Sequence, residues 1–161
     1  MITPSIRQAT LNDHAKLKEI VDLSFPRFFR FFANHSLNSK EGKTLVSEEQ
    51  GVAVGFAKLI EFSVGDGKYG CILWLAVHPN YRQKGVAAKL VKAGTENLKL
   101  DGAGAVFASV QRRNKVSLAT FGKEGFTCVG FWGLQRLFGW RVHEFYREIW
   151  YAPGEVVLTH N

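Results

Sequence analysis

The segment Arg82-Gln83-Lys84-Gly85-Val86-Ala87 places two cations, an amide side chain and a glycine directly ahead of a helical apolar pattern. Residues of these types in this order can hold phosphate. The unpaired N–H groups of a helix N-terminus point at an anion, and the helix dipole favours negative charge there. Gly85 has no side chain to keep the backbone at a distance, and Arg82 and Lys84 add charge. The apolar run Leu73 to Val77 before it suits a strand, and His78-Pro79-Asn80 suits a turn.

A chain of 161 residues with 46% hydrophobic content is long enough for one domain, residues 1–161, with a substantial core. No run of about 18 apolar residues is present, so no membrane partner is expected. Met1 to Thr10 lacks the apolar stretch of a signal peptide. Cys71 and Cys128 fall in strand-like segments without zinc-type spacing. They read as two buried, reduced thiols in a cytoplasmic protein that holds no metal. A net charge of +7 raises nucleic acid as a partner. The cations, however, gather at Arg82, Lys84, Lys89 and Lys92 and again at Arg112, Arg113 and Lys115 rather than in one tract. A small polyanion accounts for such clusters as well as nucleic acid does.

The elements that would position the loop follow from periodicity. Ser5 to Ala9 reads as a strand, and residues 11–24 as an amphipathic helix with Leu17, Ile20, Val21 and Phe25 on one side, interrupted by Pro26. The aromatic run Phe25 to Phe32 is a second helix whose aromatic side packs on a sheet, a wall of a substrate groove, or a membrane-surface helix. Thr44 to Ser47 and Val52 to Phe62 form a hairpin about Glu48-Glu49-Gln50-Gly51. A second turn at Gly65 to Gly70 leads into the strand Cys71 to Val77. A helix is expected over 86–100, with Val86, Leu90, Val91 and Leu98 apolar and Asp101-Gly102 as its stop. Ala105 to Val110 is a strand parallel to the one before the loop. Asn114 caps a helix over Lys115 to Lys123, and Phe126 to Trp132 and Glu144 to Trp150 are expected as two last strands.

Three separated segments then point the same way: the hairpin ending Val54-Gly55-Phe56, the loop Arg82-x-x-Gly85-x-Ala87, and Asn114 followed at Gly125-Phe126 by a glycine-phenylalanine pair. Together, over about residues 5–130, they resemble the GNAT superfamily of acyl-CoA N-acyltransferases. The resemblance implies an α+β fold, a central mixed, mostly antiparallel sheet of 6–7 strands with about 4 helices on its two faces. It implies acetyl-CoA or another acyl-CoA as co-substrate, with the pyrophosphate on the backbone of Gln83, Lys84, Gly85, Val86 and Ala87 and with Arg82 and Lys84 adding charge. Leu75 and Val77 would offer backbone groups to the pantetheine arm, as a strand edge does to a peptide. Asn114, Ser117 and Phe121 would lie along the cofactor.

The implied reaction is direct attack of a neutral amine on the thioester, which needs a path for the amine proton and a proton for the thiolate. The family's frequent proton donor is a tyrosine, and Phe121 stands at that position; Tyr69, Tyr146 and Tyr151 are the replacements to consider. Glu61 and His78 are the candidate bases. The acceptor groove would draw on Phe25 to Phe32 and Phe131 to Tyr151, aromatic and mildly basic, which suits a small amine with an apolar or anionic part, or a peptide N-terminus, and repels polyamines. The same aromatic surface could join two copies in a homodimer. A catalytically silent acyl-CoA sensor and a nucleic-acid-binding module are the alternatives to an enzyme.

Overall fold

The computed structural model describes residues 4–161; of the segment Met1 to Thr10, the first three residues lie outside the described ones. The strands are β1 (Ser5–Gln8), β2 (Lys43–Glu49), β3 (Val52–Val64), β4 (Gly67–Val77), β5 (Val106–Gln111), β6 (Thr127–Val129) and β7 (Glu155–His160). The helices are α1 (His14–Ser24), α2 (Arg27–Asn38), α3 (Val86–Leu100), α4 (Lys115–Lys123), α5 (Phe131–Phe138) and α6 (Val142–Glu148). The strands form one seven-stranded sheet in the order β1-β2-β3-β4-β5-β7-β6. β4 and β5 are parallel through Gly70↔Val106 to Ile72↔Ala108, while β1–β2, β2–β3, β5–β7 and β6–β7 are antiparallel. This is the mixed, mostly antiparallel α+β architecture expected. The chain divides into two compact units, residues 4–59 with 74–94 and residues 60–73 with 95–161.

In the first unit, Leu17, Ile20 and Val21 recur at helical spacing on α1 and are buried with Val46, Phe56, Ala33 and Ala76. β2 and β3 join through a two-residue turn, Gln50-Gly51, with positive φ at both positions, the conformation that matches the twist of a hairpin. The register shifts between Ser47 and Glu48, where Val54 of β3 is the extra, bulged residue. Asp13 clamps the entry to α1: its carboxylate accepts the Thr10 N–H at 2.8 Å and the Arg7 guanidinium at 2.7 and 2.9 Å. Arg7 also pairs with Glu48 on β2. The Arg7 hydrogen bond holds the Asp13 carboxyl well below the usual carboxylate range, against the opposing effect of its burial.

Lys58 on β3 is only 2% exposed; among the described residues its Nζ has a 3.5 Å contact to the Ser39 carbonyl, and Glu41 is near enough to oppose part of the burial effect. Desolvation lowers its pKa below the ordinary lysine value.

The second unit packs around Phe107 and Phe145, with Phe62, Cys71, Leu134, Phe138, Ile149 and Val157. Phe138 and Phe145 stack at 4.6 Å between centroids. Here the C-terminal expectation is corrected. Residues 144–150 are not a strand, because Leu134/Phe138 and Phe145/Ile149 are buried at i, i+4 and their segments are therefore helical. The strand expected over Phe126 to Trp132 shrinks to Thr127–Val129, and the last strand is Glu155–His160, whose β-branched run begins after Pro153-Gly154. The turn expected across Gly65 to Gly70 is only two residues, so Tyr69 lies within β4. Cys71 is buried, which pushes its thiol pKa up, whereas Cys128, expected inside, is exposed.

Two stability measurements follow. Asp13→Asn should lose about 2 kcal/mol at pH 7 by stranding Arg7 and the Thr10 N–H. Because the folded pKa is depressed, the Asp13 contribution is complete above about pH 4 and fades as the pH falls further. The gap between variant and wild type in urea melts should therefore narrow in acid; a gap independent of pH would contradict the clamp. For Lys58 the sign reverses. The unfolded chain keeps the proton to higher pH than the folded one, so wild-type stability rises as pH climbs toward about 10. Lys58→Met should raise Tm at pH 7, and its advantage should shrink toward pH 10.

Candidate functional site

The loop between β4 and α3 is built from its anchors outward. After Val77 the chain enters a 3-10 turn, Pro79–Tyr81, capped by His78, whose Nδ1 accepts the Asn80 N–H at 3.2 Å. With Nδ1 accepting, the proton of the neutral ring sits on Nε2, which lies 3.3 Å from a Glu19 carboxylate oxygen on α1. Lys16, and after it His78, hold the Glu19 carboxyl below its ordinary pKa. Arg82 turns back toward β4: Nε donates to the Val77 carbonyl at 3.0 Å and Nη2 to Ser24 Oγ at 3.2 Å. Lys84 lies over the Tyr81 ring, 5.1 Å from its centroid.

Between these anchors and the first helical bond, from the Lys89 N–H to the Gly85 carbonyl at 3.1 Å, the backbone is open. Among the described residues, the N–H groups of Gln83 to Ala88 meet no acceptor. Gln83 and Gly85 both have positive φ, 61° and 76°. A Cβ built on Gly85 would meet nothing within 4 Å, so the missing side chain leaves free space beside the exposed amides. Successive N–H groups in such a conformation form an anion-binding concavity. A diphosphate fits this cradle in charge and in donor supply.

Gly55 on β3 sets how close α3 comes. A Cβ there would lie 3.0 Å from the Ala76 carbonyl and 3.2 Å from the side chains of Val86 and Leu90. A side chain there would crowd the helix N-terminus, so the missing atom favours its close seat against the strands.

The other expected site residues are placed as follows. Leu75 is half-buried on β4, and Val77 is buried with its carbonyl already accepting from Arg82. In the second unit, Asn114 caps α4 by accepting the Ser117 N–H at 3.1 Å. Phe121 is 3% exposed and packs edge-on against Phe126 at 5.0 Å, a core position. Tyr69 packs among Phe62, Phe107 and Phe138, and the Tyr151 hydroxyl donates to the Glu155 carbonyl at 3.1 Å. Burial raises the Tyr146 pKa. The Glu61 carboxylate is ion-paired with Lys68. Neither candidate base is unengaged.

Sequence reasoning missed Trp74 and Lys58. Trp74 on β4 packs edge-on against Phe25 at 5.3 Å and against Phe29 on α2 at 6.4 Å. The remaining aromatic residues of α2 do not pack inward as one expectation had it: Phe28 is 68% and Phe31 71% exposed. On the second unit Trp132 and Trp140 are likewise exposed, whereas Phe145, expected in the acceptor groove, is core. Among the described residues, no helix is long and apolar enough to cross a membrane.

A mixed, mostly antiparallel sheet thus carries a row of open backbone amides between β4 and α3. The family model of the acetyltransferase (GNAT) family matches residues 9–126, and the chain belongs to that family. A comparison with curated protein sequences gives no match. Among solved structures, a GNAT-family protein from Desulfovibrio desulfuricans superposes with a TM-score of 0.75 at 14% identity over 98% of each chain. A Bacillus subtilis acetyltransferase in complex with CoA gives 0.70 at 16% identity, again over 98% of each. The ribosomal-protein-S18-alanine N-acetyltransferase of Escherichia coli gives 0.67 at 17% identity over 97% of this chain and 92% of that one.

Gly55→Val should cost about 1–3 kcal/mol through overpacking, and should move the α3 N-terminus away from β3. Amide exchange at Lys89 to Val91, the first hydrogen-bonded amides of α3, should accelerate in the variant relative to α4; unchanged exchange there would show that the close approach does not depend on Gly55.

Proposed function

We propose that the protein is an acyl-CoA-dependent N-acyltransferase that transfers an acetyl or related acyl group to a primary amine. The observation that carries the reading is the row of unpaired N–H groups from Gln83 to Ala88 beside the space left by Gly85. The family match and the CoA complex of the Bacillus subtilis relative support the same ligand. In this reading the pyrophosphate lies on the amides of Gln83, Lys84, Gly85, Val86 and Ala87. Lys84 adds a point charge, while Arg82 acts mainly as a strut because two of its nitrogens are engaged. Leu75 offers backbone groups to the pantetheine arm, and Val77 offers fewer because its carbonyl is taken. The roles of Asn114, Ser117 and Phe121 rest on the family resemblance.

In the reaction the amine nitrogen bonds to the thioester carbonyl carbon, the C–S bond breaks, and the electron pair leaves as CoA thiolate. Phe121 has no proton to give, and a thiolate is stable enough to leave without one. His78 supports the loop through both ring nitrogens, and Glu61 would first have to release Lys68, so the ammonium proton leaves through water rather than to a dedicated side chain. The aromatic and mildly basic surface favours a small amine with an apolar or anionic part over a polyamine. Phe121 also supports a second reading, an acyl-CoA-binding protein without turnover.

Calorimetry with acetyl-CoA should give one site on the wild type and none on Gly85→Glu, with unchanged circular dichroism in the variant. Binding by both proteins would move the phosphate site elsewhere, and binding by neither would remove both CoA readings. Thiol release over a panel of amines then separates enzyme from sensor, and a panel in which polyamines react best would overturn the acceptor assignment.

A further inference from the structure

One carboxylate of the second unit is held without a cation. Glu155 opens β7 opposite Gln111 on β5, and its Oε2 accepts the Ser109 hydroxyl at 2.5 Å and the Ala152 N–H at 2.9 Å. The Glu155 N–H returns to the Ala152 carbonyl at 3.2 Å, and the Tyr151 hydroxyl donates to the Glu155 carbonyl at 3.1 Å. Backbone and side chain are thereby fixed together. Among the described residues, Oε1 carries no hydrogen bond and neither oxygen pairs with a Lys or Arg. Glu155 is half-buried, and the sealed side-chain polar atoms without a partner are Ser47 Oγ and Trp74 Nε1, so Oε1 is open to solvent. Its place on the sheet is specific. Ile72↔Ala108 is the last pair of the parallel β4–β5 ladder, so Leu73 and Ser109 are the first residues at which these strands run on without each other. Ser109 shares its side of β5 with Phe107, which packs on Phe138 of α5 and Phe145 of α6. The Glu155 charge is also felt at Cys71 on β4, where it adds to burial in raising the thiol pKa.

We infer that Glu155 is a positioning residue for the water path of the acyl transfer, its Oε1 accepting a hydrogen bond from the water that takes the ammonium proton. This rests on the acyltransferase reading and deepens it. In that reading the pantetheine arm lies along β4 at Leu75, two residues beyond the point where Leu73 and Ser109 part. The ammonium N–H bond breaks, its proton joins the water as hydronium and passes to bulk solvent, and the lone pair left on nitrogen attacks the thioester carbon. A carboxylate beside that water stabilises the positive charge as it forms. Ser109 and the Ala152 N–H hold the other oxygen, so the charge is aimed before the substrate arrives and no reorganisation is needed during the step.

Glu155→Gln is the test variant, because its amide oxygen can still accept from Ser109 and Ala152 while the charge is gone. With the amine that reacts best in the thiol-release panel, kcat at neutral pH should fall roughly 10- to 100-fold, while the acetyl-CoA affinity stays at the wild-type value. The defect should shrink as the pH approaches about 10, where a primary amine of ordinary basicity arrives already neutral and needs no proton path. A defect of constant size over that range would mark a structural role and overturn the inference, as would a kcat equal to that of the wild type. If Glu155→Gln does not fold, Ser109→Ala carries the test. It removes only the hydroxyl that fixes Oε2, and should show a smaller loss of kcat with the same pH dependence. Undiminished kcat in Ser109→Ala would then overturn the inference. Failure of the acyltransferase reading looks different: the wild type itself releases no thiol with any amine.

Discussion

The proposed function depends on a helix start that must stay unsatisfied. Backbone N–H groups are ordinarily paired, and six in succession without an acceptor are tolerated only at the surface, where water or an anion can serve them. Three arrangements keep the segment from Gln83 to Ala88 open. His78 caps the 3-10 turn before it and reaches Glu19 on α1. Arg82 folds back on the Val77 carbonyl and Ser24, so the chain cannot collapse onto the amides from that side. Gly55 lets Val86 and Leu90 seat against β3, which fixes where the helix begins. Each lies outside the segment it supports. The loop is therefore a product of packing in the whole first unit.

The fold was legible where local chemistry and burial agree. Val86, Leu90, Val91 and Leu98 have the spacing of α3 and are all buried, and Asn114 caps α4 as its side chain allows. The hairpin from β2 to β3 follows from β-branched runs around Gln50-Gly51. Legibility fails after Gly130. The segment from Phe131 to Trp150 is so rich in aromatic residues that a strand pattern and a helix pattern compete, and only burial of Leu134, Phe138, Phe145 and Ile149 decides for helix. The true last strand carries a plainer signal, Val156-Val157-Leu158 after Pro153-Gly154, which the aromatic segment overshadowed.

The site was legible in part for a related reason. A phosphate cradle is made of backbone, and its sequence mark is a glycine with basic neighbours ahead of a helix. Acid–base roles depend instead on which side chains are already engaged, and that is invisible in one dimension. His78 and Glu61 look available in the sequence and are committed to Glu19, Asn80 and Lys68 in the fold. Burial leaves Trp74 Nε1 without a partner among the described residues and Lys58 with one long contact, which the strand patterns of β3 and β4 do not reveal. Phe121 is a packing residue against Phe126, which the sequence position alone does not reveal.

CoA would meet the protein first at the amides of the loop, so the most direct measurement is a ¹H–¹⁵N spectrum recorded while CoA is titrated in. Downfield shifts that are largest at Gln83 to Ala88 and that weaken with added salt, as an anion on backbone donors requires, are the predicted result. Shifts confined to other segments, with Gln83 to Ala88 unmoved at saturation, would contradict it.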